Sequence, residues 1–541
     1  MDAKHPAPPG TGEARASNPQ PLPAELDEPL DGPPHLAIGV AGPDELEGAP
    51  EDLKRKTALS ILWTIVRTGS DYFLSFLIFA LLARKLGPAA FGVYALAVAF
   101  AEFGKILPST GLVSAITRAK HVSAAMADTV FWSTLALACA IAALIALVAR
   151  PLAIAFDAPA VAPVLTALGL ILPVSAAGAI HIALTLRSFG HKAMASRSVV
   201  SGVLGGAAAL AAAWAGWGPW SLVVQRGVTE VAGTAMAWHA YRWLPGRRFS
   251  SAELRGIAGF SGSMTLTQLL YVGLVRVQDL IIGRTIGVPA VGAYRTAWRT
   301  VELIAQGAIM PFSQVSLPAL ARLQDDLPAF GKAYLRIVGV SAAIAFPAII
   351  GFAVMAPDAV TLLYGDRWAE SARIAQVLGL MAVPFTINYF AGPALAALGR
   401  SGTLAKIAVL QLTLTIALSV SAAPFGLTAI AAAYVLRAYL TLPVQMAAFK
   451  RYSGVGYLAL LRAIAPPLAM ALVMAGCLLA LDHMIGSRFQ NRGVFLLLMM
   501  CTGAAVYVGS MLLFARSFVF QQIRDIRRLI PGSAKLSGAG A

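Results

Sequence analysis

The chain has 541 residues, of which 58% are hydrophobic and 13% are charged, and its mean hydropathy is +0.73. Soluble domains contain about 45–50% apolar residues, so this composition indicates a protein that crosses a membrane several times. The formal net charge is +16, but nucleic acid is not expected as a partner because the basic residues are scattered between apolar runs.

The first 52 residues differ from the rest, because they are rich in proline and contain eleven acidic residues against two basic ones. Such a segment cannot bury a core, so we expect a disordered cytoplasmic tail over residues 1–52. The remaining chain has 40 basic and 15 acidic residues, a net charge of +25. We expect no cleaved signal peptide. Lys54, Arg55 and Lys56 predict a retained first helix with a cytoplasmic N-terminus.

Apolar runs of about 20 residues, the length of one membrane crossing, occur fourteen times. They predict an all-α polytopic membrane protein with helices over 58–82, 89–113, 127–149, 160–185, 194–215, 219–241, 258–283, 289–313, 334–355, 372–397, 403–421, 426–447, 461–481 and 494–515. Interior prolines such as Pro347 and Pro443 are expected to kink helices rather than end them.

Basic residues between the predicted helices set the orientation. The connections and chain ends assigned to the cytoplasm carry 25 of them, and the outer connections carry 8. The positive-inside rule therefore predicts that both termini are cytoplasmic. Cys139, Cys477 and Cys501 lie in apolar runs, so we expect neither a disulfide framework nor a metal site.

Two stretches of the chain share one polar skeleton: LLARKLGPAAFGVYALAVAFAEF (81–103) and IIGRTIGVPAVGAYRTAWRTVEL (281–303). Six predicted crossings separate them, and an even number implies parallel halves related by an axis along the membrane normal. We therefore expect the following organisation. An N-lobe spans 53–245, a C-lobe spans 246–452, two added helices lie within 453–519, and a basic cytoplasmic tail covers 520–541. The matched residues are Arg84, Gly87, Ala90, Gly92, Tyr94, Ala97 and Glu102 with Arg284, Gly287, Ala290, Gly292, Tyr294, Ala297 and Glu302.

Several other residues are expected to have structural roles. The repeated glycines favour tight outer turns and close helix contact, and the spacing of Gly202 and Gly206 predicts a packing face. Tyr94 and Tyr294 are typical of the interfacial aromatic belt. Ser250 with Glu253 resembles a capping box. The histidines His181 and His239 are better explained as partnered structural groups than as proton relays.

Ionisable residues inside membrane spans are costly and usually face a bundle interior or a water-filled cavity. Most are spaced as pairs on one helix, namely Arg67 with Asp71, Glu102 with Lys105, Arg226 with Glu230, Arg276 with Asp279 and Arg299 with Glu302. Arg295 and Arg437 lack such a neighbour, which leaves seven cations against five acids. One interpretation is that the pairs only neutralise each other for insertion. The other is a cationic cavity between the lobes that attracts a pyrophosphate or similar anion.

The candidate residues of that cavity fall into two sets. The cations expected to bind substrate are Arg276, Arg295, Arg299, Arg67, Lys105 and Arg437, with the first three favoured. The acids expected to couple an ion or to balance charge are Asp71, Glu102, Glu230, Asp279 and Glu302. The sequence has no phosphate loop, so we expect no ATP hydrolysis. It also has no H-E-x-x-H or G-x-S-x-G motif, which argues against a membrane-embedded hydrolase. We expect no cofactor.

Four segments together resemble a known family: LARKLGPAAFGVYALA, VQDLIIGRTIGVPAVGAYRTAWR, LLYGDRW at 362–368 and GWGPWSLV at 216–223. They are similar to the polysaccharide-transporter branch of the multidrug/oligosaccharidyl-lipid/polysaccharide flippase superfamily. The resemblance implies a bacterial inner-membrane flippase, similar to the Wzx-type proteins. Such a protein moves undecaprenyl-pyrophosphate-linked oligosaccharide repeat units outward for O-antigen or exopolysaccharide synthesis, by alternating access of two lobes.

The resemblance also implies partners and places Asp279 at a recurrent acidic position of the branch. The expected partners are the lipid-linked substrate, membrane lipid, and a polysaccharide polymerase with chain-length or export proteins. The acidic tail departs from the family pattern. Two relatives of the same fold stay open as alternatives: a flippase for the peptidoglycan lipid precursor and a cation-coupled drug exporter. A membrane glycosyltransferase or polymerase is a remote alternative, because the outer connections are short.

Overall fold

The computed structural model describes residues 74–119, 121–188, 191–486, 489, 491–516 and 518. All regular structure in this part of the chain is helical, which confirms the all-α prediction. The two predicted tails, Arg67, Asp71 and most of the first predicted helix lie outside the described residues. Their roles stay predictions.

Sixteen α-helices are described, and we number them in chain order. The first eight are α1 (74–86, described from residue 74), α2 (Pro88–Ser109), α3 (Gly111–Arg118), α4 (Ala124–Ala155), α5 (Val161–Arg187), α6 (His191–Trp214), α7 (Trp220–Ala240) and α8 (Ser251–Thr285). The others are α9 (Val288–Ala321), α10 (Leu327–Tyr364), α11 (Ala369–Gly379), α12 (Ala382–Ala397), α13 (Ser401–Ala422), α14 (Leu427–Ser453), α15 (Tyr457–Ile485) and α16 (Arg492–Phe514). Short 3₁₀ turns at Asp366–Trp368 and Ala423–Phe425 complete the helical structure.

Ten of the described helical segments are long and apolar enough to cross a membrane. The pair Asp366–Gly379 and Ala382–Ala397, bent by 63°, makes an eleventh span if it is counted as one. This multi-pass architecture confirms the membrane prediction, and the count of fourteen stays a prediction. The helices α7 and α9 are not among the ten. Both carry several charged residues in their middle turns, so their apolar character is interrupted where the candidate site lies.

Prolines act as the sequence predicts at most positions. Pro347 and Pro443 lie inside α10 and α14, which continue past them. Pro108 lies near the end of α2, and a break at Thr110 separates α2 from α3. The range 372–397, predicted as one helix with a kink at Pro384, is divided and bent by 63° earlier, between Gly379 and Ala382.

The helices pack in two groups. Helices α2–α7 contact mainly one another, and so do α8–α14, while α15 and α16 pack against α10. The groups meet where α2 and α3 pack against α8 and α9. Helix α1 lies between them, because its Ile78 fills the space beside Gly206 of α6 and its Phe79 stacks edge-on against Tyr364 of α10. We call α2–α7 the first group and α8–α14 the second group.

The two copies of the repeat touch each other in a reciprocal way. A Cβ atom on Gly92 would lie 1.9 Å from the carbonyl oxygen of Val288, and one on Gly292 would lie 2.0 Å from that of Pro88. Pro88 and Val288 are themselves equivalent in the repeat, so the same contact is made twice with the partners exchanged. Only glycine permits this approach of α2 and α9. We call this end of the bundle the motif end.

An aromatic cluster closes the motif end beside the glycines. Trp368 is 1% exposed and donates a hydrogen bond from Nε1 to the carbonyl oxygen of Ala83 at 2.9 Å. Its ring packs edge-on against Phe91 of α2, with centroids 5.5 Å apart. The LLYGDRW segment therefore links α10 to α1 and α2.

The segment between α7 and α8, residues 241–250, defines the opposite end, the linker end. Asp128 is buried and accepts hydrogen bonds from the backbone N–H of Gly246 at 2.8 Å and of Arg248 at 3.4 Å. Ser250 accepts from the N–H of Glu253, as the capping box predicts. The Glu253 carboxylate, however, accepts from the hydroxyl of Ser123 at 3.3 Å rather than returning to Ser250. The linker is thus held against the start of α4.

Candidate functional site

The candidate charged residues in the described part of the chain lie on α2, α7, α8, α9 and α14. Most of them meet between the two groups or in a cleft of the first group, between the motif end and the linker end. Three clusters can be distinguished. Three of the predicted pairs on one helix form, Arg276–Asp279, Arg226–Glu230 and Arg299–Glu302, whereas Glu102 and Lys105 have partners on other helices.

The first cluster joins the groups. Arg276 of α8 donates to the carboxylate of Glu102 on α2, with Nε and Oε2 2.7 Å apart, and is 3.5 Å from Asp279. Asp279 is completely buried and pairs closely with Arg295 of α9. Arg295 also donates to the carbonyl oxygen of Val275 at 2.6 Å. Two guanidinium groups therefore surround one buried carboxylate, and the carboxylate of Glu102, from the first group, balances the remaining positive charge.

The second cluster lies in an open cleft between α2, α5 and α7. Lys105 donates to Glu230 Oε1 at 2.8 Å, and Nη2 of Arg226 lies 3.0 Å from the same oxygen. Tyr94 and Ser175 also line this cleft. Glu102 and Lys105, which are spaced as a pair on α2, do not pair with each other. Each turns to a partner on another helix.

The third cluster lies where α9 faces α1. Nη1 of Arg299 is 3.1 Å from the carboxylate of Glu302, and Nη2 donates to the hydroxyl of Ser75 at 3.2 Å. Gln306 donates to the other oxygen of Glu302 at 3.3 Å. Here the predicted pair on one helix does form. The side chain of Arg299 is 37% exposed, so it can still reach a ligand.

Arg437 on α14 differs from the other cations because it is only 4% exposed and forms no ion pair among the described residues. Its guanidinium lies over the ring of Tyr434 at 4.3 Å, and its Nε has no hydrogen-bond partner in the described part. A cation against an aromatic face is attracted by the ring quadrupole. This side chain therefore adds positive charge inside the second group rather than a donor at its surface.

The described spans hold six cations and four acids at these positions. The cations are Lys105, Arg226, Arg276, Arg295, Arg299 and Arg437, and the acids are Glu102, Glu230, Asp279 and Glu302. Each of the four acids is within ion-pair distance of a cation. The net charge of the set is positive by two, so the arrangement is suited to an anion and offers no free carboxylate.

Sequence reasoning assigned Arg226 only to a charge pair and gave no role to Ser75 or Ser175. The spacing of Arg226 and Glu230 was visible, but the cleft that exposes Arg226 is formed by α2 and α5, far away in sequence. The serines carry no distinguishing pattern in a sequence of this composition.

Two structural predictions need correction, and the prediction for His181 is confirmed. Tyr294 is 2% exposed inside the second group rather than in an interfacial belt. Gly202 has open space around it, and the close helix contacts are made instead by Gly205 and Gly206. His181 is buried as a partnered group: its Nε2 is 3.0 Å from the carbonyl oxygen of Trp243.

The fold and site define a class: a multi-pass helical membrane protein with the fold of the multidrug/oligosaccharidyl-lipid/polysaccharide flippases. The structure resembles that of the lipid II flippase MurJ in an inward closed conformation, with a TM-score of 0.67 and 12% identity. The match covers 84% of this chain and 99% of that one. It also resembles an inward-facing multidrug transporter of the MATE family, with a TM-score of 0.54 and 17% identity, over 71% of this chain and 95% of that one.

The family follows from the sequence match. Residues 81–373 match the family model described as polysaccharide biosynthesis protein, and the chain belongs to this family. It is 27% identical over 321 residues to the succinoglycan biosynthesis transport protein ExoT of Rhizobium meliloti (strain 1021), a match over 59% of this chain and 64% of that protein. It is 22% identical over 353 residues to the lipopolysaccharide biosynthesis protein WzxC of Escherichia coli (strain K12), over 64% and 71% of the two chains.

Proposed function

We propose that this protein translocates lipid-linked oligosaccharide repeat units, carried on undecaprenyl pyrophosphate, across the bacterial inner membrane for the synthesis of a surface polysaccharide. The observation that carries the proposal is the excess of cations among the candidate residues of the described helices, six against four acids. Seven of these ten residues lie on α2, α8 and α9, where the two groups meet. Cations inside a membrane protein mark the path of an anionic substrate. The names of the sequence relatives support a role in polysaccharide export or synthesis.

Translocation proceeds by alternating access of two lobes, the first group with α1 and the second group. Arg276, Arg295, Arg299 and Lys105 attract the pyrophosphate, while the sugars follow through the space between the lobes. Arg67 and Asp71 belong to the same cavity on sequence grounds. Glu102 and Asp279 hold Arg276 and Arg295 in position until a phosphate takes their place. The protein performs no bond-breaking chemistry on its substrate.

The pairing of the acids argues against a cation-coupled drug exporter. A cationic drug or a coupling cation needs a carboxylate that is free to receive it. Glu102, Glu230, Asp279 and Glu302 each already hold an Arg or Lys at 3.1 Å or closer. Filling any of these sites with a cation would first require displacing a guanidinium or ammonium group.

The test uses Arg299→Gln in cells whose own copy of the gene is deleted. The Arg299 side chain is 37% exposed, and its acidic partner among the described residues, Glu302, is also accessible at 27% exposure. Replacing Arg299 therefore leaves no fully buried acid of the described part without a partner. We expect surface polysaccharide to fall about tenfold, the size of one charge-assisted hydrogen bond to a phosphate. Lipid-linked repeat units should accumulate on the cytoplasmic leaflet. Surface polysaccharide is measured by immunoblot and the lipid intermediates by mass spectrometry.

Arg84→Gln is the matched control, because Arg84 is an exposed cation at the motif end outside the three clusters. It should leave the surface polysaccharide per molecule of protein unchanged. Normal polysaccharide in the Arg299→Gln strain at normal protein level would contradict the proposal. If deletion of the gene instead blocked growth and caused peptidoglycan precursors to accumulate, the substrate would be the peptidoglycan lipid precursor.

A further inference from the structure

The cleft of the first group contains the most accessible cations of the site apart from Arg299. The side chains of Arg226 and Lys105 are 40% and 31% exposed, whereas those of Arg276 and Arg295 are 16% and 14% exposed. Two of the three arginines favoured by the sequence, Arg276 and Arg295, are thus engaged with Glu102 and Asp279. Arg226 and Lys105 face open space instead.

The hydrogen-bonding capacity of Arg226 and Lys105 is mostly unused. A guanidinium group has five N–H donors and an ammonium group has three. In the described part of the protein both cations bind the same atom, Glu230 Oε1, at 3.0 and 2.8 Å. Both side chains line an open cleft that Tyr94 and Ser175 also line. Unpaired donors are costly inside a membrane, so such a cleft is suited to a ligand with several acceptor oxygens.

The charge of the surroundings favours an anion. Arg276 and Arg295, outside the cleft, balance Asp279 and Glu102, so the cations of the cleft, Lys105 and Arg226, are left with one acid, Glu230. Glu102 lines the cleft and also accepts from Arg276, so the cleft adjoins the contact between the two groups. An anion that leaves the neighbourhood of Arg276 would meet Arg226 and Lys105 next.

We propose that Arg226 and Lys105 form a phosphate subsite in the first group, with Glu230 as a resident counter-anion that a phosphate displaces. This rests on the proposed function, and it assigns the pyrophosphate of the lipid-linked substrate to a second position besides Arg276 and Arg299. The planar guanidinium of Arg226 provides two parallel donors to one phosphate, and Lys105 adds a point charge. Cations from both lobes thus bind the substrate: Arg226 and Lys105 from the first group, and Arg276 and Arg299 from the second.

The experiment measures binding of undecaprenyl pyrophosphate to the full-length protein in lipid nanodiscs, with inorganic pyrophosphate as a second probe. Arg226→Gln and Lys105→Gln should each weaken binding of both probes about tenfold. Glu230→Gln should tighten binding, because it removes the anion that competes with phosphate. Arg226→Lys should recover part of the loss. Arg150→Gln, an exposed cation on α4, is the matched control and should bind as the wild type does.

The Glu230→Gln result separates a binding role from a structural one. If Glu230 served only to neutralise Arg226 and Lys105, its replacement would lower the melting temperature without raising the affinity for either probe, and the subsite would be wrong. The charge-neutral double variant Arg226→Gln with Glu230→Gln tests the same prediction should a single variant fold poorly, and it should still bind more weakly than Glu230→Gln alone.

Failure of the subsite differs from failure of the proposed function. Unchanged affinity in Arg226→Gln and Lys105→Gln, together with lost polysaccharide in Arg299→Gln cells, would overturn the subsite alone. A wild-type protein that binds neither probe would overturn the subsite and the proposed substrate together.

Discussion

Asp279 shows how a buried charge is maintained in this protein. Its carboxylate is fully buried, and it is held by Arg295 from α9 and, at 3.5 Å, by Arg276 one turn earlier on α8. A carboxylate without a partner would be very costly in this environment. Because Arg276 also reaches Glu102 on α2, the same residue connects the interior of the second group to the first group.

We expect Asp279→Asn to destabilise the protein by about 3–5 kcal/mol, the cost of leaving a buried partner uncompensated. Both Arg295 and Arg276 lose an anion in this variant. The double variant Asp279→Asn with Arg295→Gln should recover much of the loss, because it removes the charge together with its counter-charge. Thermal unfolding in detergent provides the measurement.

The control for this cycle is Asp358→Asn, an acid on α10 that forms no ion pair among the described residues. It should unfold at the wild-type temperature. If the Asp279 single variant were as stable as this control, the carboxylate would not be the anchor of the two arginines. Failure of the double variant to recover stability would contradict the pairwise assignment to Arg295.

At the scale of elements, α2 and α9 determine how the two groups meet. Their glycines, Gly92 and Gly292, let each helix approach a carbonyl oxygen of the other, and the contact is reciprocal. Gly87 and Gly287 begin the same helices with positive φ values of 78° and 116°, a conformation that other residues adopt only with strain. The duplicated motif is therefore used twice in one interface, at the motif end.

Gly92→Ala and Gly292→Ala should each push α2 and α9 apart at the motif end. The added methyl group would overlap a backbone carbonyl of the other helix, and a backbone group cannot rotate away as a side chain can. We expect equal effects at the two positions, since the contact is symmetric, and loss of transport in both variants. The distance is measured by spin labels at Arg84→Cys and Arg284→Cys, two exposed positions, after replacement of the three native cysteines by alanine. The label distance should increase in each alanine variant.

Gly307→Ala is the control on the same helix α9, because nothing lies within 4 Å of the added carbon atom. It should leave the label distance and transport unchanged. An increase at only one of the two repeat positions would show that the interface is not reciprocal in solution.

For the whole molecule, the distribution of basic residues predicts the orientation in the membrane. The linker end, with Arg247 and Arg248 between α7 and α8, is expected in the cytoplasm, and the motif end is expected outside. This places the glycine contact and the aromatic cluster at the outer face. The contact of Gly111 on α3 with Ser261 on α8 then lies toward the cytoplasm.

Reporter fusions test this orientation. A fusion after Arg248 or after Lys450 should give a cytoplasmic signal, and one between Gly365 and Trp368 should give an outer signal. A cytoplasmic signal from the last position would reverse the orientation, and the proposed direction of transport would then have no basis in the charge distribution.

Sequence alone determined the properties that depend on composition and local pattern. The long apolar runs predict helices because a membrane requires every backbone group to be bonded within its own segment. The duplication in residues 81–103 and 281–303 predicts the matching turns at Gly87 and Gly287. The Ser250 cap likewise depends on a few neighbouring residues. Each of these signals is read from consecutive positions, and the structure confirms the helices, the turns and the cap.

Only the tertiary structure decided which charges meet across different helices. Helical spacing predicts a pair between Glu102 and Lys105. In the structure Glu102 pairs instead with Arg276, 174 residues away, and Lys105 pairs with Glu230, 125 residues away. It also gives Arg295 a partner in Asp279 and leaves Arg226 exposed in a cleft. The physical reason is that burial and distance, not spacing along one helix, determine the strength of an ion pair. Those depend on which helices pack together, and local sequence does not specify that packing.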